Sequence, residues 1–181
     1  MDMACGNACI GRKIKRLNPS ISVVGVDQSE AMLNEAQRLI SEEGLNDSIS
    51  LLKCDIKRIP EEIGYFHCIV SGFFLAHAST RRELFTYFQI ISDHLMSGGF
   101  TVHVIPVVDL LVPEGKCEKI SLENHQPDGT SSKLDLYNFH WSERTYRNAA
   151  STAGLTEISC QLGAVCPRGY VQFWLNTSCR N

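Results

Sequence analysis

Three acids and a small-residue loop are the part of this sequence that can do chemistry: Asp2, Asp27, Asp55, and the run Ala4-Cys5-Gly6-Asn7-Ala8 behind the first acid. A loop of small residues after an acidic strand end, with a second acid closing another strand about 20 residues later, is how α/β proteins hold an adenosine-bearing cofactor. The acid before the loop separates the candidates. A dinucleotide pyrophosphate is anionic and would be repelled by Asp2, whereas the methionine end of S-adenosylmethionine carries an ammonium and a sulfonium that a carboxylate attracts. The charge pattern therefore implies a methyl-donor site.

The elements that must position these residues alternate. Ile21 to Asp27 reads as a strand, and Ser29 can cap a helix running to about Glu43, with Met32, Leu33, Ala36, Leu39 and Ile40 on its inner face. Strands follow at Ser48 to Cys54 and Phe66 to Ser71, then a helix from about Thr80 to Leu95 with Leu84, Phe88, Ile91 and Leu95 at helical spacing. Gly98-Gly99 reads as the turn into a fifth strand, Phe100 to Ile105, which Pro106 should stop. Residues 107–133 show no clear period and read as an insertion at the carboxyl edge of that strand, where open α/β sheets bind ligands. A cover for the substrate and a plain surface loop are both open readings. Leu134 to Trp141 reads as a strand, Ser142 as a helix cap, and Thr156 to Leu162 with Tyr170 to Asn176 as a closing antiparallel pair. The basic run Arg12-Lys13-x-Lys15-Arg16 reads as a solvated helix face opposite Ile10, Ile14 and Leu17.

The motifs resemble those of the class I S-adenosylmethionine-dependent methyltransferases, of the small-molecule type. The first motif of that family is similar to Asp2-x-Ala4-x-Gly6-x-Ala8, the second to Gly25-Val26-Asp27-Gln28-Ser29 with Met32-Leu33, and the third to Cys54-Asp55-Ile56. Leu95 to Phe100, Trp141-Ser142-x-x-x-Tyr146 and Ala153-Gly154-Leu155 resemble later landmarks in the same order. The resemblance implies a Rossmann-like fold for residues 1–181 as one domain: a doubly wound, mostly parallel sheet with an antiparallel closing strand. It also implies roles. Asp27 would accept the ribose hydroxyls, Asp55 the adenine amino group with Ile56 on the ring, and Gln28 and Met32 would flank the base. Asp2, Ala4 and Gly6 would line the cofactor loop, and Ser71 would end the fourth strand beside the methionine moiety.

Two departures from the family pattern carry expectations. Ala8 stands where the family has a third glycine, so the loop should approach the cofactor only if that backbone avoids positive φ. The first strand is reduced to Met1 and Asp2, which should leave the second and fourth strands without a shared neighbour and the chain loosely folded.

For the acceptor side the sequence offers His77, after the fourth strand, and His140, before the last helix. An imidazole there can take a proton from a hydroxyl or a ring nitrogen; a surface or capping role for His77, and packing of His140 with Tyr137 on Trp141, are the competing readings. Ser71-Gly72-Phe73-Phe74 stands where amino methylases of DNA or protein glutamine carry an Asn-Pro-Pro-Tyr-type motif, which disfavours those substrates. The net charge of -3 gives no basic field for nucleic acid. The eight cysteines show no C-x-x-C spacing, so neither a zinc site nor a disulfide framework is expected, and a reducing cytoplasm is the consistent compartment. No apolar run suggests a membrane span. The partner is then a small-molecule acceptor. A nicotinamide-dependent reductase is disfavoured by Ala4-x-Gly6-x-x-Cys9, which fails the glycine fingerprint at both ends. A non-catalytic module of the same fold, binding cofactor or a protein partner, stays open, as does the oligomeric state.

Overall fold

The computed structural model describes residues 1–107, 113–125, 131–162 and 171–179. Strand β1 is only Asp2–Met3, followed by α1 (Cys9–Leu17), β2 (Val23–Asp27), α2 (Glu30–Glu42) and β3 (Ile49–Lys53). Then come β4 (Phe66–Gly72), α3 (Arg81–Asp93), β5 (Leu95–Val107), β6 (Cys117–His125), β7 (Ser131–Phe139), α4 (Glu143–Thr152), β8 (Leu155–Leu162) and β9 (Val171–Cys179). The main sheet has the order β3-β2-β1-β4-β5-β9-β8. Its first five strands are parallel, and β9 runs antiparallel to both β5 and β8. This is the doubly wound arrangement expected from the motifs.

Short as it is, β1 is the neighbour that β2 and β4 were expected to lack. Asp2 pairs with Gly25 on one side and Val70 on the other, Met3 pairs with Val26, and the Val70 N–H donates to the Met1 carbonyl at 2.8 Å. Met1 and Met3 are buried in the larger apolar cluster with Val26, Ile69, Leu84, Phe88 and Ile91, so two residues knit the sheet's centre through packing as well as hydrogen bonds.

Helix α1 turns Ile10 and Ile14 toward the sheet, as its apolar spacing suggested: both are half-buried, and Ile10 Cδ1 would lie 2.8 Å from a Cβ on Gly72 of β4. A Cβ on Gly11 would sit 3.0 Å from Val23 Cγ1 and 3.3 Å from Asp2 Oδ2, so the helix lies close against β1 and β2 at this glycine. That contact rolls Gly11 and Arg12 inward and leaves Leu17 79% exposed. The basic run is therefore no simple solvated face: Arg12 and Arg16 both grip Glu43, the cap residue of α2. On α2 itself Leu33, Ala36 and Ile40 are buried as expected, while Met32 is exposed at the helix start.

Three expectations about β5 and its sequel give way. The Gly98-Gly99 pair lies inside β5, as an irregularity of its pairing with β4 between Phe66 and Cys68. Gly98 takes a φ of 71°, and a Cβ on Gly99 would meet the Met96 and His67 carbonyls at 2.8 and 3.0 Å. Pro106 does not end the strand. The Val104 carbonyl accepts from Phe73 N–H on the β4 side, so Pro106, two residues on, faces the same side where β4 has already finished, and its missing N–H costs no ladder bond. Residues 107–133 also hold regular structure, because β6 and β7 pair antiparallel from Cys117↔Phe139 to His125↔Ser131 as a separate two-stranded sheet. The strand expected over Leu134 to Trp141 is β7, whereas the alternation Lys119-Ile120-Ser121 on its partner β6 was too short a signal beside the polar content of the segment. The start of the last strand expected at Tyr170 lies outside the described residues.

Candidate functional site

The carboxyl ends of β1, β2, β3 and β4 meet around the loop of residues 4–8. Ala4, Gly6 and Ala8 alternate in the left-handed region, with φ of 54°, 54° and 57°. Ala8 does not meet the condition of avoiding positive φ: the loop takes the path a glycine would allow and carries two strained alanines to do so, about 1–2 kcal/mol each. Several bonds hold that path. Cys5 N–H extends the ladder to Val26 O at 3.0 Å, Ala8 N–H closes onto Cys5 O at 2.8 Å, and Gly6 N–H donates to Asp27 Oδ2 at 2.8 Å. Gly25 gives room beneath, since a Cβ there would meet Cys5 Sγ at 2.9 Å. Burial pushes the Cys5 thiol up to about 12, which makes it a packing group rather than a redox partner of exposed Cys9.

Asp27 ends β2 as a tie between the loop and α2. Its Oδ1 accepts from Ser29 N–H at 2.8 Å while Oδ2 holds Gly6, and each oxygen keeps a second acceptor position. Next to it, Cys54 N–H donates to the Asp27 carbonyl at 2.9 Å, which brings Asp55 alongside. Asp55 caps a 3₁₀ turn (Ile56–Arg58) through Lys57 N–H at 3.0 Å, and Ile56 is buried beneath it. That turn is fastened to α3 by Lys57 Nζ on Glu83 Oε1 at 2.6 Å. Burial alone would raise the Glu83 carboxyl, but Lys57, Ser79 and Tyr87 all donate to it and hold it down at about 2. Gln28 and Met32 are exposed just beyond Asp27, at the same edge.

Asp2 is the unusual member. It is 1% exposed; Oδ2 accepts from Gly11 N–H at 2.9 Å, but Oδ1 is buried with no partner among the described residues. Burial pushes the carboxyl up to about 6, against the Gly11 N–H and the N-terminal ammonium, which lower it, and with a smaller rise from Asp27. A buried carboxylate oxygen without a donor is an expensive group to keep unless something cationic reaches it. The left-handed loop, the orphaned oxygen of Asp2, and the acids at the ends of β2 and β3 together fit the ammonium, ribose and adenine of S-adenosylmethionine.

Ser71 is placed differently from expectation. It lies within β4, one residue before its end, and its Oγ bonds His103 Nδ1 at 2.7 Å, so its side chain is directed into the core rather than free for a ligand. His103 Nε2 meets Thr101 Oγ1, and the ring stands edge-on to Phe88 at 6.0 Å. Complete burial pushes this imidazole down to about 3 and keeps it neutral. Nothing in the strand pattern marked it; the only trace was a histidine and a threonine among β5 valines.

On the acceptor side the structure sorts the two histidines. His77 ends the 3₁₀ turn Phe74–His77 that follows β4 and is exposed, with Nδ1 2.9 Å from the Tyr137 carbonyl of β7. His140 sits at the base of the β6–β7 hairpin instead: its N–H donates to Lys116 O, its carbonyl accepts from Gly115, and its ring nitrogen Nε2 lies 3.5 Å from Glu118 Oε2. Sequence reasoning also missed Phe73, a non-glycine residue at φ 63°, half exposed at the exit of β4. Among the described residues, no group of three or more His, Cys, Asp or Glu could hold a metal ion, and no helix is long and apolar enough to cross a membrane.

Residues 1–99 match the family model for a methyltransferase domain. The chain belongs to that methyltransferase family. The matched span contains the loop, all three acids and β1 to β4. No curated protein matches the sequence. Among solved structures, an S-adenosylmethionine-dependent methyltransferase from Clostridium acetobutylicum superposes with a TM-score of 0.76 at 16% identity, over 99% of this chain and 83% of its own. The CcbJ methyltransferase of Streptomyces caelestis gives 0.77 at 11% identity, over 99% and 82%. The sugar N-methyltransferase KedS8 from a Streptoalloteichus species gives 0.72 at 16%, over 99% and 79%. At these identities the likeness establishes the fold, and its extent places β5 to β9 within that fold as well.

Proposed function

We propose that this methyltransferase moves a methyl group from S-adenosylmethionine to a small-molecule acceptor by in-line displacement. The observation that carries the reading is the unpartnered, buried Oδ1 of Asp2 beside the left-handed loop. An ammonium satisfies that oxygen, and a pyrophosphate would worsen it. When bound, the cofactor supplies a methyl carbon already activated by its sulfonium. The chain's task is then to orient, enclose and exclude water.

In this reading the second acceptor positions of Asp27 take the two ribose hydroxyls, which leaves its bonds to Gly6 and Ser29 in place. Asp55 Oδ2 takes the adenine amino group, Ile56 lies against the ring, and Gln28 and Met32 flank it. Ala4 and Gly6 bring loop backbone close to the methionine carbons, and Ser71 contributes only through its strand backbone. The β6–β7 hairpin covers the acceptor side: β7 reaches His77 through Tyr137, and Trp141 Nε1 donates to Ala78 O at 2.9 Å. A small acceptor suits such a cover better than a nucleic acid or a membrane surface, and the sugar-directed activity in the name of KedS8 is of the same class. A cytoplasmic setting is part of the same reading.

The test is methyl transfer itself. Incubating the protein with methyl-labelled S-adenosylmethionine and a low-molecular-mass metabolite extract should move label into the small-molecule fraction. Label that stays on the donor, or that enters only nucleic acid or protein supplied in parallel, contradicts the proposal.

A further inference from the structure

His77 is held in a way that fixes its chemistry. The Tyr137 carbonyl only accepts hydrogen bonds, so at 2.9 Å the Nδ1 of His77 must carry the proton. In the neutral ring Nε2 then keeps its lone pair, and among the described residues nothing occupies it. The turn that presents the ring is anchored from several directions. Phe73 N–H donates to Val104 O at 2.7 Å, the Phe74 ring packs on Tyr87 of α3 at 4.5 Å, Leu75 and Ala76 are buried, and Trp141 holds the Ala78 carbonyl. Phe73 begins that turn in a left-handed conformation, at φ 63°, a strain that persists only where surrounding contacts impose it. The result is an exposed imidazole on a rigid support, at the carboxyl edge of β4, with one nitrogen committed and the other available. His140 has no such freedom, because its ring lies beside Glu118 within the hairpin and is only 10% exposed.

We infer that His77 Nε2 takes the proton from the acceptor, with the β6–β7 hairpin setting the tautomer, and that the acceptor therefore presents an O–H or N–H group. This rests on the methyl-transfer reading above. As the acceptor heteroatom bonds to the methyl carbon, the carbon–sulfur bond breaks and its electron pair stays on sulfur, giving the neutral thioether S-adenosylhomocysteine. The acceptor proton passes to Nε2, leaving an imidazolium that returns it to water after product leaves. An acceptor that is already anionic needs no such base.

His77→Gln keeps a group able to donate to Tyr137 O but none able to take the proton. In the labelled-methyl assay with the metabolite extract, it should lower transfer by about 10²–10⁴-fold, with S-adenosylhomocysteine affinity by calorimetry within twofold of wild type. Nitrogen-15 spectra of histidine-labelled protein should show the Nδ1–H tautomer for His77, the opposite of the form free histidine prefers. Transfer by His77→Gln equal to wild type, or an Nε2–H tautomer, overturns the inference while leaving methyl transfer standing. Absence of transfer by the wild type overturns the functional reading and this inference with it.

Discussion

The buried carboxyl of Asp2 should make both stability and cofactor binding depend on pH, in opposite senses. Its ordinary value is near 3.8 and the fold pushes it up to about 6, because burial outweighs the Gly11 N–H and the N-terminal ammonium. A carboxyl whose folded value lies above its unfolded value binds protons more readily in the native state, so the ligand-free protein is most stable below about pH 4 with respect to this group and loses stability as pH rises through about 6. The full loss is about 3 kcal/mol. Cofactor binding runs the other way, since an ammonium wants the ionised form: at pH 5 the proton must first be displaced, which weakens apparent affinity about tenfold relative to pH 8. Asp2→Asn removes the titration and keeps an acceptor for Gly11. Its denaturant-unfolding free energy should lack the decline between pH 4 and 7 that wild type shows, and its affinity for S-adenosylhomocysteine should be about 10–100-fold lower at pH 8 and insensitive to pH. An Asp2→Asn protein with the same pH-dependent decline and wild-type affinity would refute the argument.

Other substitutions test the same site. Asp27→Ala should lower S-adenosylhomocysteine affinity at least tenfold by calorimetry, through two lost charge-assisted bonds, and should also lower the melting temperature, because Gly6 and Ser29 lose their acceptor. Asp55→Ala should cost less affinity, since in the proposed placement adenine also rests on Ile56. Ala8→Gly should raise stability by up to about 1 kcal/mol in denaturant titration, as relief of the left-handed strain exceeds the added unfolded-chain entropy. Gly11→Ala should lower stability by about 1–3 kcal/mol in the same titration and weaken cofactor binding, because its Cβ would press on Val23 and Asp2.

Much of the fold was legible because the site and the sheet share the same signals. Asp27 closes β2 ahead of a capped helix and Asp55 follows β3 by two residues as the cap of the next turn, so reading them as ligand contacts also located β2, β3 and their order. The helix boundaries at Ser29, Thr80 and Ser142 were visible for a local reason: each side chain caps its own helix. What stayed hidden depends on partners distant in sequence. The apolar spacing of α1 marked Ile10 and Ile14 but not that Gly11 seats the helix on Val23 and Asp2 while Leu17 stays exposed. The role of Ser71 is set by His103 across the β4–β5 pair, and that of His77 by a carbonyl 60 residues away. Of the β6–β7 hairpin, β7 was legible over residues 134–139 while β6 escaped because its apolar alternation is brief, and the two-residue β1 is effective beyond its length because its bonds run to both neighbours.

The central claim is that the loop and its acids form a receptor for the methyl donor. Calorimetric titration of the wild-type protein at pH 8 with S-adenosylhomocysteine, and in parallel with a nicotinamide dinucleotide, tests it most directly. The account predicts saturable binding of S-adenosylhomocysteine at one site per chain and no heat from the dinucleotide. Binding of the dinucleotide with no response to S-adenosylhomocysteine would contradict it.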